Sequence, residues 1–393
     1  MMNILLWSPA GSGEHYNGPA SFSHRLYSYI NRESYSVTLA HGYKAQEKVD
    51  RFIEQRFVSQ RSTTLISQWR FIRKARRFIE SEIHKFDLFH GIEGFHTTVA
   101  PAYQASKRNV ATVLFLANHK VELADKAGLR GWLGLPRRRR QMVANMSALI
   151  AMSSAIYEEL ISYGFSENRI ARIPMGTDTS IYRPITGVRE KTELRAQFMV
   201  RDLPTVIFAG GVTRRKRPDL LIEAIGHLHK RNLDIQLLIV GPESDARFAA
   251  QLRQRITDLG IGQLIVWIGF SHKVADLMRA SDIFALPSEG EGMPAALVEA
   301  MATSLPCIVT AISGCSDLIR DGVNGRVVSL DATQIADVLM DFVLNPVAAA
   351  AMGQVGRRQV EAEYSLEIVA RKYQRLFESL IDKNEVPDMS GVA

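Results

Sequence analysis

The sequence has only two cysteines, and their scarcity excludes several classes of protein. Cys307 and Cys315 cannot supply the cross-links of a disulfide-rich secreted domain or the repeated cysteine pairs of a zinc site. We therefore expect a cytoplasmic protein. No apolar run reaches the ~20 residues that cross a bilayer. The N-terminal MMNILLWSPAGSG has no basic segment ahead of its short apolar core, which predicts a first β-strand rather than a signal peptide.

Charge is unevenly distributed along the chain, which has 393 residues and therefore the length of two or three domains. Its hydrophobic fraction of 46% and charged fraction of 23% are ordinary for a globular protein. Residues 1–185 carry 25 Lys and Arg against 15 Asp and Glu, whereas the remaining residues carry 23 against 26. The basic surplus of the N-terminal half predicts an anionic partner on that side.

Short apolar runs alternate with segments of helical periodicity, a pattern typical of parallel α/β units. The predicted strands are Asn3–Ser8, Phe86–His90, Ala111–Ala117, Ala148–Met152, Val206–Ala209, Gln236–Val240, Ile265–Ile268, Ile283–Leu286 and Cys307–Thr310. Pro184 and Gly187 interrupt regular structure and indicate a domain boundary between Arg183 and Pro204. We predict two doubly wound α/β domains, and in such sheets ligands bind beyond the carboxyl ends of the strands.

The predicted domain limits follow from this pattern. The first domain spans residues 1–185 and the second spans residues 186–364. A last helix follows at residues 365–382, because Ser365 is a suitable cap and an apolar stripe at helical spacing follows it. Residues 383–393 are expected to form a flexible tail.

The most informative stretch is PSEGEGMPAALVEAMA, residues 287–302, in which a glycine-rich acidic loop runs into a helix. Pro294 fits the first helical position, and the unpaired amides and dipole of the first turn make an anion site. Glu291 and Glu299 are eight residues apart, one in the loop and one about two turns into the helix. Two carboxylates beside such a helix end suit a ligand that has both phosphate and hydroxyl groups, such as a sugar nucleotide.

A second constellation, FAGGVTRRKRPD, follows the first strand of the C-terminal half at residues 208–219. Gly210 and Gly211 allow the backbone to approach a ligand closely. The cations Arg214 to Arg217 come next, directly before a helix. A glycine turn followed by cations is interpreted as a diphosphate cradle, and the alternative is a solvated basic turn.

Together these two blocks resemble those of the retaining glycosyltransferases of family 4, also called group 1, which have the GT-B fold. The likeness covers most of the chain, because Ile173–Asp178 is similar to the family's interdomain segment, with Met175 in place of its usual polar residue. The resemblance implies two Rossmann-like domains facing a central cleft, with the donor bound mainly to residues 205–330 and the acceptor to the N-terminal half. It also implies that the last helix packs back on the N-terminal domain.

Roles for single residues are implied by their positions in the family motifs. Glu291 would contact the hydroxyls of the donor sugar, Glu299 the ribose and Lys216 the diphosphate. The family has an arginine where this chain has Gly211, and the spacing does not decide whether Arg214 or Arg215 takes its role. The implied catalytic residues are Glu291, His119 and Lys216. The implied donor-binding residues are Gly210, Gly211, Arg215, Lys216, Gly292, Met293, Pro294, Ala295 and Glu299, with a base pocket at Gly241–Glu243 and Ile268–Ser271.

Two loops of the N-terminal half complete the resemblance. His119 follows a predicted strand, and many relatives place a histidine there, near the transferred carbon. Lys120 replaces the family's frequent acidic residue, and the alternative is a surface histidine. Gly18 matches the glycine of a loop that holds the acceptor and faces the donor phosphate, and the alternative is a flexible turn.

The reaction implied is transfer of a sugar from a UDP-, GDP- or ADP-linked donor to a hydroxyl acceptor, with retention of configuration. The leaving phosphate would accept the acceptor's proton, so we assign no dedicated general base. The sequence has no Asp-x-Asp pair, which predicts that the reaction needs neither a metal nor another cofactor. An anionic or lipid-linked glycan is the expected acceptor, as in bacterial cell-surface polysaccharide or glycolipid synthesis.

Two basic segments of the N-terminal half stand apart from these motifs. Residues 69–79, WRFIRKARRFI, mix aromatic and cationic residues at near-helical spacing, and Pro136 precedes four arginines at 137–140. Such segments can lie on anionic lipid, which would bring the protein to the inner face of the membrane. The alternatives are a solvated helix face and an arginine run that binds nothing. No recognition motif supports binding of nucleic acid.

Two other classes of function remain open at this point. The GT-B fold also hosts sugar-nucleotide epimerases and phosphorylases, although the two glutamates with Lys216 favour transfer. The chain could also be a non-catalytic protein that binds a sugar nucleotide or a membrane surface, an alternative that the substituted Gly211 keeps open.

Overall fold

Two parallel β-sheets organise the protein in this computed structural model, which describes residues 1–9, 18–31, 33–42, 53–59, 64–117, 122–123, 135–383 and 385–388. The chain divides into two compact units. The first comprises Met1–Gly176 and Leu366–Ala393, and the second comprises Thr177–Ser365. The paired strands in both sheets are parallel, as the alternation of apolar runs and helical segments predicts.

The first unit contains a seven-stranded sheet in the order β3-β2-β1-β4-β5-β6-β7. Its strands are β1 (Met2–Ser8), β2 (Tyr35–His41), β3 (Ile53–Phe57), β4 (Leu88–Ile92), β5 (Ala111–Leu116), β6 (Ala148–Ala151) and β7 (Ile170–Arg172). The inner strands β4 and β6 are buried at every position. Because both faces of such a strand are covered, its sequence is a continuous run of mainly apolar residues rather than an alternating pattern.

The second unit contains a six-stranded sheet in the order β10-β9-β8-β11-β12-β13. Its strands are β8 (Thr205–Ala209), β9 (Gln236–Val240), β10 (Ile265–Gly269), β11 (Ile283–Leu286), β12 (Cys307–Thr310) and β13 (Arg326–Val328). Of the four strands that follow β8 and β9 in this list, β10 extends the sheet beyond β9 and the other three extend it beyond β8, so the order of the strands reverses between β8 and β11.

Helices cover both sheets. Those of the first part of the chain are α1 (Gly18–Tyr29), α2 (Leu65–Glu82), α3 (His96–Ser106), α4 (Leu135–Val143) and α5 (Ser154–Ser162). Those of the second unit are α6 (Val188–Gln197), α7 (Pro218–Lys230), α8 (Ala246–Leu259), α9 (Val274–Ala280), α10 (Ala295–Ala302), α11 (Ser313–Ser316), α12 (Ala332–Leu344) and α13 (Pro346–Gln359). A π-helical turn, Val360–Tyr364, and the last helix, α14 (Leu366–Asp382), follow.

The direction of each crossover decides on which face of the first sheet its helix lies. From β1 the chain moves to β2 on one side, whereas from β4 it moves to β5 on the other side. Because βαβ crossovers are right-handed, α1 and α3 lie on opposite faces. Helices α2 and α4 pack against α3, and α14 packs against α1, so that both faces of the sheet are covered.

The last helix belongs to the core of the first unit. The ring of Tyr373 lies 6.3 Å from that of Phe22, and the hydroxyl group of Tyr35 donates a 2.6 Å hydrogen bond to Glu378. Residues 366–382 are thus far from β1 and β4 in sequence but complete the apolar layer that covers them.

The chain enters the second unit at Thr177 and leaves it at Ser365, and these two residues form an isolated parallel bridge. The sequence pattern predicts a boundary at residue 185, whereas the structure assigns residues 177–185 to the second unit. The reason is a set of contacts that a local sequence pattern does not reveal. One of them is the ion pair of Arg183 with Glu190, at 2.7 Å.

Arg357 of α13 is the centre of these contacts. Its guanidinium group donates hydrogen bonds to the carbonyl oxygens of Thr179 at 3.3 Å, Tyr182 at 2.7 Å and Ala302 at 2.6 Å, and it pairs with Glu361. The planar, five-donor group can satisfy several carbonyl groups at once. It therefore joins the entering segment to the carboxyl end of α10.

Among the described residues, no single helix has the length and apolar content needed to cross a membrane. Two consecutive helical segments, Ala332–Leu344 and Pro346–Tyr364, have the required length and apolar content only when taken together, and they are bent by 102° relative to each other.

His90 is a fully buried histidine in the middle of β4. Its Nδ1 atom lies 2.8 Å from the hydroxyl group of Tyr27, and the rings of Tyr373 and Phe377 each lie 5.5 Å away. Burial lowers the pKa of His90 from 6.5 to about 3, so the imidazole group is neutral in the folded protein at neutral pH.

This pKa predicts a loss of stability in acid. Between pH 6.5 and about 3, the unfolded chain binds a proton at His90 that the folded protein does not bind. The stabilisation is therefore complete above pH 6.5 and falls as the pH decreases, by about 2 kcal/mol at pH 5. Urea denaturation of wild type and His90→Asn at pH 7.5 and pH 5 should show this difference only in the wild type. His84→Asn, which removes an exposed histidine, is the control, and parallel profiles for wild type and His90→Asn would contradict the prediction.

Arg357→Lys tests the contacts at the start of the second unit. Lysine keeps the charge but cannot bond three carbonyl groups in one plane, so we expect the free energy of unfolding to fall by about 2 kcal/mol. Arg358→Lys, at the exposed neighbouring position, should leave it within about 0.5 kcal/mol of wild type. Equal urea denaturation curves for the two variants would show that the three hydrogen bonds contribute nothing.

Candidate active site

The candidate site lies in the second unit, beyond the carboxyl ends of β8 and β11. These strands are neighbours in the sheet, and the order of the strands reverses between them. Loops that leave such a pair move apart and open a crevice in which ligands of doubly wound sheets bind. The loop after β8 contains residues 210–217, and the loop after β11 contains residues 287–294. The two sequence blocks that carry the resemblance therefore meet at the reversal point.

Glycines hold the first loop close to the neighbouring strand. Gly210 donates its N–H to Val240 at 2.8 Å, and Gly241 has a φ of 140°. A Cβ atom on Gly241 would lie 2.1 Å from the carbonyl oxygen of Gly210, which no side chain can tolerate. Gly210 itself, with a φ of 152°, lies under the side chain of Lys216. The turn and the direction of Lys216 both depend on these glycines.

Gly211 stands where the resemblance implies an arginine. A Cβ atom at this position would lie 2.9 Å from the hydroxyl oxygen of Ser244. The start of a longer side chain would therefore meet Ser244, and the local packing of this chain suits glycine.

Lys216 and Arg215 converge on one carboxylate oxygen of Glu291. The Nζ atom of Lys216 lies 2.8 Å from Oε1, and a guanidinium nitrogen of Arg215 lies 3.1 Å from the same atom. Arg215 also donates to the carbonyl oxygen of Gly290, and Ser288 donates its hydroxyl group to Glu291 at 3.0 Å. These contacts join the two loops of the site.

The electrostatics favour an ionised Glu291. Burial alone would raise the pKa of its carboxyl group, because its side chain is only 9% exposed. The charges of Lys216 and Arg215, with hydrogen bonds from Lys216 and Ser288, outweigh burial and hold the pKa below its ordinary value. The site thus presents a negative group between two cations.

The other two arginines of the first loop point elsewhere. Arg214 donates to Gln251 at 2.7 Å, and its guanidinium carbon lies 4.9 Å from the centre of the Phe248 ring, both on α8. Arg217 pairs with Asp219 at 2.9 Å. The structure therefore separates Arg215, which reaches Glu291, from Arg214, which does not.

The second loop is held by hydrogen bonds from residues at the end of β12 and directly after it that the sequence motifs do not include. Thr310 donates its hydroxyl group to the carbonyl oxygen of Ser288 at 2.5 Å, and Ser313 donates to that of Glu291 at 3.2 Å. Gly314 lies so close to Gly292 that a Cβ atom would be 2.3 Å from the carbonyl oxygen of Gly292. Residues of this kind carry no signal in spacing, because the fold alone brings them together.

Helix α10 begins one residue later than predicted. Pro294 is its N-cap, with a ψ of 107°, and Ala295 is its first residue. The prediction that Pro294 occupies the first helical position is therefore wrong, because this extended ψ precedes the helical turn. Met293 is buried beside it. The unpaired amides of the first turn follow directly after the loop that carries Glu291.

Glu299 lies just over one turn into α10, because the helix begins at Ala295. It is buried, with 8% of its surface exposed. A buried carboxyl group on a helix whose other buried positions are apolar, such as Leu297 and Val298, is unusual and marks the position as one with a specific partner.

Two predicted positions of the first unit remain without a tested role. His119 and its neighbours lie outside the described residues. Gly18 is the first residue of α1, and a Cβ atom there would meet nothing within 4 Å. Its packing therefore does not require glycine.

The described residues contain no group of three or more His, Cys, Asp or Glu side chains that could hold a metal ion. The cations of the site are the side chains of Lys216 and Arg215.

Comparison with protein families gives two matches. The model described as Glycosyl transferases group 1 matches residues 190–359, and that described as Glycosyltransferase Family 4 matches residues 16–181. These segments correspond to the second unit and to most of the first.

Two curated relatives illustrate the similarity. The chain is 28% identical over 262 residues to a GDP-mannose-dependent monoacylated alpha-(1-6)-phosphatidylinositol monomannoside mannosyltransferase of Corynebacterium glutamicum. The aligned region covers 63% of this chain and 67% of the relative. It is 31% identical over 221 residues to D-inositol 3-phosphate glycosyltransferase 1 of Catenulispora acidiphila, and this aligned region covers 54% of this chain and 52% of the relative. The chain thus spans about two thirds of the first and about half of the second.

Solved structures share the fold over nearly the whole chain. HepE of Anabaena, in complex with UDP and glucose, has a TM-score of 0.81 at 19% identity and covers 97% of this chain and 100% of its own. WaaG, a glycosyltransferase involved in lipopolysaccharide biosynthesis, has a TM-score of 0.73 at 18% identity, with 98% and 100% covered. Family models match both halves of the chain, and its two parallel sheets are those of the solved glycosyltransferase structures. The chain therefore belongs to the family 4, or group 1, glycosyltransferases and has the GT-B fold.

Proposed function

We propose that the protein is a retaining glycosyltransferase that moves a sugar from a nucleotide-sugar donor to a hydroxyl acceptor. One observation carries the proposal: the two loops at the reversal point bring Lys216 and Arg215 onto the buried carboxylate of Glu291. Ligands of doubly wound sheets bind at this point, and the residues present there suit a ligand with both phosphate and hydroxyl groups.

Each group has a distinct task in the proposed reaction. Lys216 and Arg215 stabilise the charge that develops on the leaving diphosphate, with help from the amino end of α10. The ionised carboxylate of Glu291 accepts hydrogen bonds from the sugar hydroxyls and favours positive charge on the sugar. Glu299 holds the ribose of the nucleotide. The leaving phosphate takes the proton of the acceptor, so that no side chain acts as a dedicated base and no metal is required.

Relatives guide the choice of substrates. The named relatives act on GDP-mannose with a phosphatidylinositol mannoside and on D-inositol 3-phosphate, and the structural neighbour holds UDP and glucose. These names support a UDP- or GDP-linked donor and an anionic or lipid-linked acceptor. We place the reaction in the synthesis of cell-surface polysaccharide or glycolipid, on the cytoplasmic side of a bacterial membrane.

Substitution of the two glutamates should impair different functions, transfer in one case and nucleotide binding in the other. Glu291→Ala should lower transfer by about 10²–10³-fold and leave nucleotide binding measurable. Glu299→Ala should weaken nucleotide binding by about tenfold or more. Transfer is measured as nucleoside diphosphate release from GDP-mannose or UDP-glucose, with phosphatidylinositol and D-inositol 3-phosphate as acceptors. Binding is measured by calorimetry with UDP and GDP.

Glu289→Gln is the matched control, because Glu289 lies in the same loop but pairs with Arg217 rather than with the convergent cations. It should keep near wild-type transfer. Unchanged transfer in both Glu291→Ala and Glu299→Ala would overturn the assignment. Equal release of nucleoside diphosphate without any acceptor would indicate a hydrolase, and conversion of the donor into an epimeric nucleotide sugar without release would indicate an epimerase.

Arg215 and Arg214 provide a second comparison within one loop. Arg215→Ala removes a cation that reaches Glu291, so we expect the KM for the donor to rise by about tenfold. Arg214→Ala removes a cation that faces α8 and should change KM by less than about twofold. Steady-state kinetics with one donor measure both. A larger effect of Arg214→Ala would show that the family's missing arginine is replaced from the other position.

A further inference from the structure

The outer face of α2 has a composition that the proposed sugar transfer does not use. We define this α2 face by Ile66, Trp69, Arg70, Arg73 and Arg77. All five are exposed, with Ile66 at 67% and Trp69 at 61%, and their spacing of three or four residues places them along one side of the helix.

The opposite side of α2 already forms its contacts with the sheet. Phe71, Ala75 and Ile79 are completely buried, and the ring of Phe71 lies 6.0 Å from that of Trp7 on β1. Packing of the helix therefore accounts for one apolar face. It does not account for Ile66 and Trp69, which point away from it.

Most of the charge on the α2 face is not neutralised by the described residues. Arg70, Arg73 and the adjacent Lys74 form no ion pair with a carboxylate in the described part of the chain, whereas Arg76 pairs with Glu80 at 2.8 Å. The guanidinium group of Arg73 lies 5.2 Å from the centre of the Trp69 ring. A solvated face stabilised by its own ion pairs would lack this surplus of positive charge.

A second basic segment lies on the same side of the first sheet. Helix α4 packs against α3, as α2 does, and its Arg137 and Arg138 are exposed. Arg140 instead turns inward and donates to the carbonyl oxygen of Leu123 at 3.1 Å. Exposed cations thus come from two helices of one face, whereas α1 and α14 cover the other.

We propose that the α2 face docks the protein on an anionic lipid bilayer. Trp69 and Ile66 would enter the boundary between headgroups and acyl chains, where indole rings are favoured. The arginines would contact lipid phosphates, with their stems along the apolar surface. A dissolved polyanion would use the cations but offers nothing to bury Ile66 and Trp69, so the combination favours a bilayer. The proposal concerns a different unit from Glu291 and can fail while the proposed transfer stands.

Vesicle sedimentation tests the docking without any sugar nucleotide. The full chain should bind vesicles of phosphatidylcholine with 30% phosphatidylglycerol and should bind pure phosphatidylcholine vesicles much more weakly. Its tryptophan emission should shift to shorter wavelength on binding, because Trp69 is exposed whereas Trp7 is buried. Trp69→Ser should reduce this shift and lower the affinity by about tenfold. Ile381→Ser, at an exposed apolar position of α14, is its control and should bind as wild type does.

A charge-matched pair of variants separates a specific face from net charge. Arg70→Gln with Arg73→Gln should weaken binding to the anionic vesicles about 25-fold, at roughly fivefold for each cation. Arg371→Gln with Arg375→Gln removes the same charge from exposed positions of α14, on the opposite face, and should change binding by less than about twofold.

Two results would overturn the proposal. Equal losses in the two charge variants would mean that net charge alone attracts the protein to vesicles. Equal binding of wild type and Trp69→Ser, together with binding to heparin as tight as to vesicles, would identify a soluble polyanion as the partner.

Discussion

The ion pair between Lys216 and Glu291 is the interaction on which the candidate site depends. A buried carboxylate is costly unless it is paired and hydrogen-bonded, and here two cations and a serine share one of its oxygens. The pair also fixes the positions of both loops, because one partner comes from each. Removal of Glu291 would leave Lys216 and Arg215 without this counter-charge, so the groups proposed to bind the donor also hold the candidate site together.

Close contacts between main-chain atoms make this pairing possible. Gly241 lies against Gly210, and Gly314 lies against Gly292, at distances that exclude any side chain. Each contact holds one of the two loops against a neighbouring segment, which is the residue after β9 for Gly210 and helix α11 for Gly292. The 2.8 Å distance between Lys216 and Glu291 therefore depends on the packing of the backbone as much as on charge. The base of the candidate site is thus formed by contacts between main-chain atoms, and its charged side chains project from that base.

Much of this arrangement could be predicted from the sequence, and the failures have physical reasons. Buried strands such as β6 and β12 are short apolar runs, and they were found with errors of only a residue or two at their ends. The strand β3, IEQRF, was missed because three consecutive polar residues separate its two apolar ends. The domain boundary was misplaced because Arg357, far along the sequence, holds residues 177–182 in the second unit.

The choice between Arg214 and Arg215 shows the same limit within a single loop. Both are adjacent to Lys216, and their spacing is compatible with the same task. The contacts of Arg214 with Gln251 and Phe248 on α8, against that of Arg215 with Glu291, distinguish them. Local patterns thus predicted the two segments that meet at the reversal point, whereas the direction of a side chain depended on a helix more than thirty residues away.

The bridge between Thr177 and Ser365 has a consequence for synthesis of the protein. Because the chain enters and leaves the second unit at adjacent points, that unit is an insertion into the first. The ribosome completes the inserted unit before α14 emerges, so the sheet of the first unit must wait with the surface around Phe22 uncovered. Nascent chains therefore carry an apolar surface for most of translation, and a truncation within α14 would leave it exposed permanently. The same adjacency means that residues 177–365 could be excised as a block and their flanking ends rejoined by a short linker.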